Sequence, residues 1–280
     1  MRACRVACIQ MRSGVEIAAN IEAACQLINQ AADAGAQFIA TPEMTNLIDI
    51  RPGMGRKKAR LEKDAPTLKA FSALAVERNI WLLAGSLAIA LEEDDRLANR
   101  SFLIAPNGRV VARYDKLHMF DVNVGDGQSY RESKGYRAGQ NAVLAKTPIA
   151  NIGLTICYDV RFPALYRALG QAGAEIITCP AAFTQVTGRA HWHTLLRARA
   201  IETGAFVMAP AQAGKHEDGR ETYGHALIIS PWGDIISERR EQSPGILLAD
   251  IDLDEVVEAR RRLPSLQHDQ AFKLITHHGI

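Results

Sequence analysis

Residues Asn151–Pro163 read NIGLTICYDVRFP, and this stretch organises the rest of the chain. Its first half alternates apolar and small side chains, the period-2 pattern of a β-strand. Pro163 stands where a first helical turn can begin, and residues 164–169 have a helical composition. Cys157 lies at the break between the two elements. We therefore expect Cys157 to be held in a fixed position at the positive end of a helix dipole, which favours the thiolate.

Length and composition predict one enzyme-sized domain. The chain has 280 residues, of which 48% are hydrophobic and 23% charged, enough for a large core. No Pro/Ser-rich linker divides it, so we expect a single domain over residues 1–280 with an irregular tail from about residue 263. A net charge of +2 argues against nucleic acid or an anionic membrane as main partner. No apolar run has the length of a membrane span, so a cytoplasmic enzyme is expected.

The remaining cysteines and the histidines give no independent site. The five cysteines include no CxxC pair, which argues against a disulfide framework or a zinc knuckle. Four of them are expected to pack as small hydrophobic side chains: Cys4, Cys8, Cys25 and Cys179. His191 and His193 lie two residues apart near the start of a predicted helix, where capping and packing explain them best. No H-x-x-x-H motif occurs, and we expect no metal site.

The order of predicted elements indicates an α/β fold. Strand and helix alternate in the first part of the chain, beginning with a strand, a capping box at Ser13–Glu16 and a helix. Hairpins dominate later, including a strand predicted over Tyr223–Ser230. Residues 116–139 form a long polar loop of the kind that is usually functional. Ten to twelve strands and five or six helices suit two mixed sheets with helices outside them.

A cysteine nucleophile needs a base and a positive group near the oxyanion. No histidine stands at a predicted strand end, so a Cys-His hydrolase is unsupported. Glu43 and Lys116 each follow a predicted strand. Alone, each would be interpreted as a surface charge. With Cys157 they come from the ends of three strands, as sites on α/β sheets do.

Three motifs make the chain resemble the nitrilase, or carbon-nitrogen hydrolase, superfamily over nearly its whole length. They are ATPE at 40–43, YDKLH at 114–118 and GLTICYDVRFP at 153–163, matching the glutamate, lysine and cysteine boxes in order and spacing. The resemblance implies a four-layer α-β-β-α sandwich of two mixed sheets flanked by helices. It also implies a homodimer or higher homo-oligomer, and no metal or organic cofactor.

The same resemblance assigns the catalytic roles. Cys157 would attack an amide carbonyl to form a thioester, and Glu43 would act as general base and acid. Lys116 and the backbone N–H of Tyr158 would form the oxyanion hole. Glu132 would be the family's second glutamate, which orients the lysine and the substrate.

The chain most resembles the branch that contains deaminated glutathione amidase and ω-amidase, with the former favoured. The expected partner is a small amide that carries carboxylate groups. Arg161 would anchor a carboxylate or, equally, brace its own turn. Phe120, Phe183 and Thr184 are further predicted substrate contacts, although core packing would also explain the two phenylalanines. An ω-amidase, an N-carbamoyl amide hydrolase and a non-catalytic scaffold of the same fold remain open.

Overall fold

The computed structural model describes residues 2–125 and 129–278. Its α-helices within these ranges are α1 (Ile17–Asp33), α2 (Met54–Lys58), α3 (Pro66–Arg78), α4 (Pro163–Gln171), α5 (Gln185–Thr203) and α6 (Asp254–Arg262). The strands of the first half are β1 (Ala3–Met11), β2 (Phe38–Ala40), β3 (Arg60–Leu61), β4 (Trp81–Ala90), β5 (Leu97–Ile104), β6 (Val110–Asp115), β7 (Asp121–Asn123) and β8 (Ser129–Arg131). Those of the second half are β9 (Val143–Lys146), β10 (Asn151–Leu154), β11 (Ile176–Thr178), β12 (Phe206–Ala209), β13 (Ala211–Lys215), β14 (Glu221–Tyr223), β15 (Ala226–Ile229), β16 (Ile235–Arg239) and β17 (Gly245–Asp252).

The described strands form two large mixed sheets and a short hairpin. The first sheet has the order β14-β13-β1-β2-β4-β5-β6, with β17 also paired to β1 and β3 to β4. The second has the order β16-β15-β12-β11-β10-β9. Strands β1, β2 and β4 run parallel in the first sheet, as do β10, β11 and β12 in the second. Each sheet therefore has an edge at which several strands end together.

The alternation of side chains on β1 shows how the layers are built. Val6 and Cys8 point into a core shared with the second sheet, whereas Ala7 and Ile9 point into a core shared with α1 and α3. Successive side chains of a strand face opposite sides, so one strand serves both cores. Helices α4 and α5 pack on the far side of the second sheet. Their Leu165 and Trp192 belong to the same continuous cluster of buried side chains. The layers are thus helix, sheet, sheet, helix, which confirms the predicted sandwich.

The structure differs from the local predictions at several places. Residues 116–139, predicted as a loop, include strands β7 and β8, and 17 strands are described where ten to twelve were predicted. Helix α1 begins at Ile17 without a side-chain cap, because the Ser13 hydroxyl donates instead to the carbonyl of Thr45 at 3.0 Å. The strand predicted over Tyr223–Ser230 is broken into β14 and β15, because Gly224 and His225 adopt left-handed backbone angles. The capping box and the unbroken strand were therefore wrong.

Two further features bear on the edges of the fold. Helix α6 ends at Arg262, and from Leu263 to residue 278 the chain contains one short 3-10 turn as its regular structure. No helix within the described ranges is both long and apolar enough to cross a membrane.

Candidate active site

Glu43, Lys116 and Cys157 each follow a strand, and the fold brings the three side chains together. Glu43 lies just after β2, Lys116 directly after β6 and Cys157 shortly after β10. The Lys116 Nζ is 2.9 Å from Oε1 of Glu43, and the Cys157 thiol lies close enough to the Glu43 carboxylate for that charge to raise the pKa of the thiol. All three side chains are buried. Predicted strand ends from two different sheets have therefore converged on one point.

The Glu43 carboxylate is held by groups from both sheets. Its Oε2 accepts the backbone N–H of Ala182 at 2.8 Å, and its Oε1 accepts the side-chain amide of Asn99 at 2.9 Å. Its backbone is fixed as well, since Gln212 donates to the Glu43 carbonyl at 3.0 Å and Met44 takes a positive φ of 54°. A carboxylate with this many fixed donors has little freedom to turn away from the thiol.

Lys116 lies between two carboxylates. Its ammonium is 2.9 Å from Glu43 and 2.9 Å from Oε2 of Glu132, and Glu132 also accepts the backbone N–H of Phe120 at 2.7 Å. Asn99 joins the two carboxylates by donating to Glu132 at 3.1 Å. The structure therefore places Glu132 where the second glutamate was predicted, in contact with the lysine.

The backbone around Cys157 is strained and tightly bonded. Cys157 has φ of 49°, in the left-handed region that non-glycine residues seldom adopt. Its N–H donates to the carbonyl of Pro180 at 2.9 Å, and a 3-10 turn over Cys157–Arg161 follows. Strain of this kind persists where the surrounding structure over-determines the conformation, as at many active sites.

Asp159 fixes this turn from below. The fully buried carboxylate accepts the N–H of Ile156 at 2.8 Å, the phenol of Tyr114 at 2.6 Å and the N–H of His118 at 3.1 Å. Its Oδ1 is also 2.7 Å from Nδ1 of His118. Since Tyr114 and His118 flank Lys116 in sequence, one side chain ties the lysine segment to the cysteine turn.

Burial and neighbouring charges shift the pKa values of all three side chains. Burial first, and then the Glu43 charge, raise the pKa of the Cys157 thiol well above its ordinary value. Burial also opposes ionisation of Glu43, but the Lys116 charge and three hydrogen bonds bring the pKa of Glu43 below its usual range. Burial lowers the pKa of Lys116, but the two glutamates raise it more strongly, so the pKa lies well above its ordinary value. These directions favour a neutral thiol beside a carboxylate and an ammonium, the state from which Glu43 would take the thiol proton.

The predicted substrate contacts lie around the same turn. Arg161 has its guanidinium 5.5 Å from the ring of Phe183 and 5.9 Å from the ring of Tyr158. The Phe120 ring meets the Tyr158 ring edge-on at 5.1 Å. Thr184 is the N-cap of α5, where its hydroxyl accepts the N–H of Thr187 at 3.3 Å. Arg161 and Phe120 thus lie beside the cysteine turn, where both are available to contact a substrate. Thr184 instead caps helix α5.

Three polar residues of the site were not found from the sequence: Asn99, Asp159 and Gln212. Asn99 lies within β5 and Gln212 within β13, where a polar residue in a strand gives no sign of its partners. Asp159 had a usable signal, because a carboxylate two residues after a strained nucleophile is well placed to accept backbone N–H groups.

The arrangement defines a class of protein. A thiol beside a buried carboxylate and an ammonium can carry out nucleophilic hydrolysis through a covalent acyl intermediate. Residues 5–261 match the carbon-nitrogen hydrolase family, so the chain belongs to that family, and the prediction of an amidase that acts on carbon-nitrogen bonds is confirmed.

Proteins that are similar to this chain include named amidases. The deaminated glutathione amidase of Synechocystis is 42% identical over 269 residues, covering 94% of this chain and 96% of the relative. The human protein of that name is 38% identical over 271 residues, covering 94% and 81% of the two chains. The crystal structure of the C. elegans NitFhit protein superposes with a TM-score of 0.90 at 34% identity, over 96% of this chain and 65% of that one.

Proposed function

We propose that this chain hydrolyses the amide bond of deaminated glutathione, with Cys157 as nucleophile. The observation that carries the proposal is the buried ion pair between Glu43 and Lys116, 2.9 Å long, which lies beside the buried Cys157 thiol. The resemblance to deaminated glutathione amidases over 94% of the chain supplies the substrate.

In the first half-reaction the thiol proton passes to Glu43 as Sγ bonds to the amide carbonyl carbon. The negative charge that develops on the carbonyl oxygen is stabilised by the Lys116 ammonium and the Tyr158 N–H. The C–N bond then breaks, and the leaving amine takes the proton from Glu43. The product is a thioester on Cys157.

In the second half-reaction Glu43 takes a proton from water as the water oxygen attacks the thioester carbonyl. The C–S bond breaks, the carboxylic acid leaves, and Sγ recovers the proton from Glu43. Glu132 and Asn99 hold the ion pair in place throughout, since Glu132 accepts from Lys116 and Asn99 donates to both Glu43 and Glu132.

Arg161 is the proposed anchor for a substrate carboxylate. Within the described residues it makes no ion pair with an acidic side chain, and its nearest polar partner is Nδ1 of His191 at 3.3 Å. A guanidinium framed by two aromatic rings and free of a protein carboxylate is well suited to bind one from a ligand.

Two observations support wider proposals about the assembled enzyme. The tail exposes Phe272, Leu274 and Ile275, apolar side chains that a second copy of the chain would cover in the proposed homodimer. All five cysteines are free, as is usual in a reducing compartment, which supports the proposed cytoplasmic location.

The substrate is tested by comparing kcat/KM for deaminated glutathione, 2-oxoglutaramate and an N-carbamoyl amino acid. We expect deaminated glutathione to give the highest value. A higher value for either of the others would replace the substrate assignment, and trace rates for all three would remove it. Intact-mass measurement during turnover should show an acyl adduct, absent from the Cys157→Ala variant.

The carboxylate anchor is tested by Arg161→Met. We expect KM to rise at least about tenfold with a smaller change in kcat, because a charge-assisted hydrogen bond is lost. Arg5→Met is the matched control. Arg5 pairs with Asp250 near the start of β1, whereas the active site lies beyond the last residue of the parallel strand β2. Equal KM values for the Arg161 and Arg5 variants would assign Arg161 to bracing its turn.

A further inference from the structure

Outside the active site, three potential ligands meet on the surface of α5 and the second sheet. His193 lies on α5, His225 between β14 and β15, and Glu238 on β16. The Glu238 Oε1 is 2.9 Å from Nε2 of His193 and 2.7 Å from Nδ1 of His225. One oxygen and two ring nitrogens therefore converge on a single point, within 4.8 Å of one another.

The cluster is held in place by its neighbours. His225 has a positive φ of 54°, and its ring stacks on Tyr223 with centroids 4.3 Å apart. Arg240 binds the other oxygen of Glu238 at 2.9 Å, which leaves Oε1 turned towards the two rings.

We propose that His193, His225 and Glu238 form a binding site for a divalent transition metal, with Zn²⁺ as the best match. Two imidazole nitrogens and one carboxylate oxygen are a common zinc ligand set, with water in the fourth position. Zinc holds such ligands at about 2.0–2.2 Å in a tetrahedron, which sets neighbouring ligand atoms about 3.4 Å apart. The present separations of 2.7 and 2.9 Å from the Glu238 oxygen need to widen by about 0.5–0.7 Å, and the two ring nitrogens lie within 4.8 Å of each other.

Access and chemistry agree with this assignment. The side chains of His193 and His225 are 31% and 20% exposed, so an ion and its water can enter from one side. Each neutral imidazole can move its proton to the other ring nitrogen and present a lone pair to the metal. The site differs from the expectation of no metal because its ligands are spread over residues 193–238 and form no local motif.

The consequence is a cross-link beside the active site rather than a catalytic centre. The Tyr223 ring that stacks on His225 also blocks the space above Gly188, and the Tyr223 N–H donates to the carbonyl of Phe183 at 2.9 Å. A bound ion would join α5 to β16 behind the segment that carries Phe183.

The test uses the full chain with Cys157→Ala, His277→Ala and His278→Ala, which removes the reactive thiol and the paired tail histidines. Zn²⁺ is titrated calorimetrically, and Co²⁺ is added as a visible-absorption probe. We expect one ion per chain. His193→Gln and Glu238→Gln should each weaken affinity at least about tenfold, since even outer-shell changes have effects of this size. His191→Ala, two residues away on the same helix, should bind as the parent does.

Binding that is unchanged in both cluster variants, or no binding in the parent, would overturn the site. Thermal unfolding of each variant without metal shows whether it is folded. A crystal of the parent soaked in Zn²⁺ gives an answer that needs no variant. An anomalous peak between Nε2 of His193 and Nδ1 of His225 supports the proposal, and its absence at full soak concentration refutes it.

Discussion

The two sheets make different contributions to the active site. The first sheet supplies Glu43, Lys116 and Asn99, which are bonded to one another and to Glu132 before any substrate arrives. The second supplies Cys157, whose side chain meets this group through Glu43. One sheet therefore carries a preassembled set of charges, and the other carries a neutral nucleophile placed against it. The geometry of the reaction depends on how the two sheets pack.

The comparison predicts that kcat falls most when the proton can no longer pass from Cys157 of the second sheet to Glu43 of the first. Glu43→Gln keeps the shape and the possibility of a hydrogen bond but removes the base that takes the thiol proton. We expect kcat to fall about 10³–10⁴-fold, near the upper limit for acid-base catalysis, because one residue serves both half-reactions. Steady-state kinetics on the amide substrate measure this effect.

Glu92→Gln is the control for that change, since Glu92 is an exposed carboxylate paired only with Lys63 among the described residues. Its kcat should match the parent. A Glu43→Gln enzyme within about tenfold of the parent would mean that another group takes the proton.

A second substitution acts within the first sheet alone. Lys116→Met leaves the buried Glu43 and the half-buried Glu132 without their cation, so we expect the free energy of unfolding to fall by about 3–5 kcal/mol. We also expect kcat/KM to fall about 10²–10³-fold from loss of oxyanion stabilisation. Denaturant unfolding and kinetics measure the two effects separately.

The double variant Lys116→Met, Glu132→Gln sharpens this result. Neutralising Glu132 removes one of the two unpaired charges and should restore part of the stability without restoring activity. Recovery of activity would contradict a catalytic role for Lys116, because only its structural effect would then have been lost.

The difference between the sheets also explains what sequence reasoning could find. Cys157, Glu43 and Lys116 follow strands, and strand ends are predictable from period-2 patterns and turn residues. Asn99 and Gln212 act through site partners 33 to 169 residues away in sequence. Such contacts depend on sheet order and register, which a strand pattern does not specify. The helix-dipole argument for a thiolate left out burial, which raises the pKa of Cys157 and exists only after the two sheets pack.

A third prediction concerns the tie between the sheets. Tyr114 lies on β6 of the first sheet and donates to Asp159 at 2.6 Å in the turn after β10. We expect Tyr114→Phe to lower kcat about tenfold with little change in KM, because the cysteine turn loses one of the bonds that set its distance from Lys116. Loss of a hydrogen bond to a charged group should also lower the free energy of unfolding by about 1.5–3 kcal/mol.

A double-mutant cycle with Asp159→Asn separates positioning from general stability. A coupling free energy in kcat shows that the Tyr114–Asp159 contact itself positions the nucleophile. Tyr166→Phe is the control, since Tyr166 is equally buried in the same core but bonds Thr155 instead. If Tyr166→Phe lowers kcat as much as Tyr114→Phe does, the effect belongs to the core and not to the tie.

The smallest effect expected is that of pH near neutrality, and it distinguishes this site from a cysteine hydrolase with a histidine base. The pKa of Glu43 is lowered and that of Cys157 is raised, so neither group changes protonation near neutral pH. We expect kcat/KM to vary less than about twofold between about pH 6 and 8, with no inflection near 6.5, where an ordinary histidine titrates.

The contributions of Glu43 and Lys116 to the free energy of unfolding should also be constant over this pH range. The contribution of Glu43 is fully present above its unfolded pKa of about 4.3 and is lost as pH falls through its lower folded value. The contribution of Lys116 is fully present below about pH 10.4 and is lost as pH rises through its higher folded pKa.

His118→Gln, which alters the histidine bonded to Asp159, should leave the shape of the kcat/KM profile against pH unchanged. An inflection near 6.5 that disappears in this variant would transfer the role of base from the carboxylate of the first sheet to a histidine.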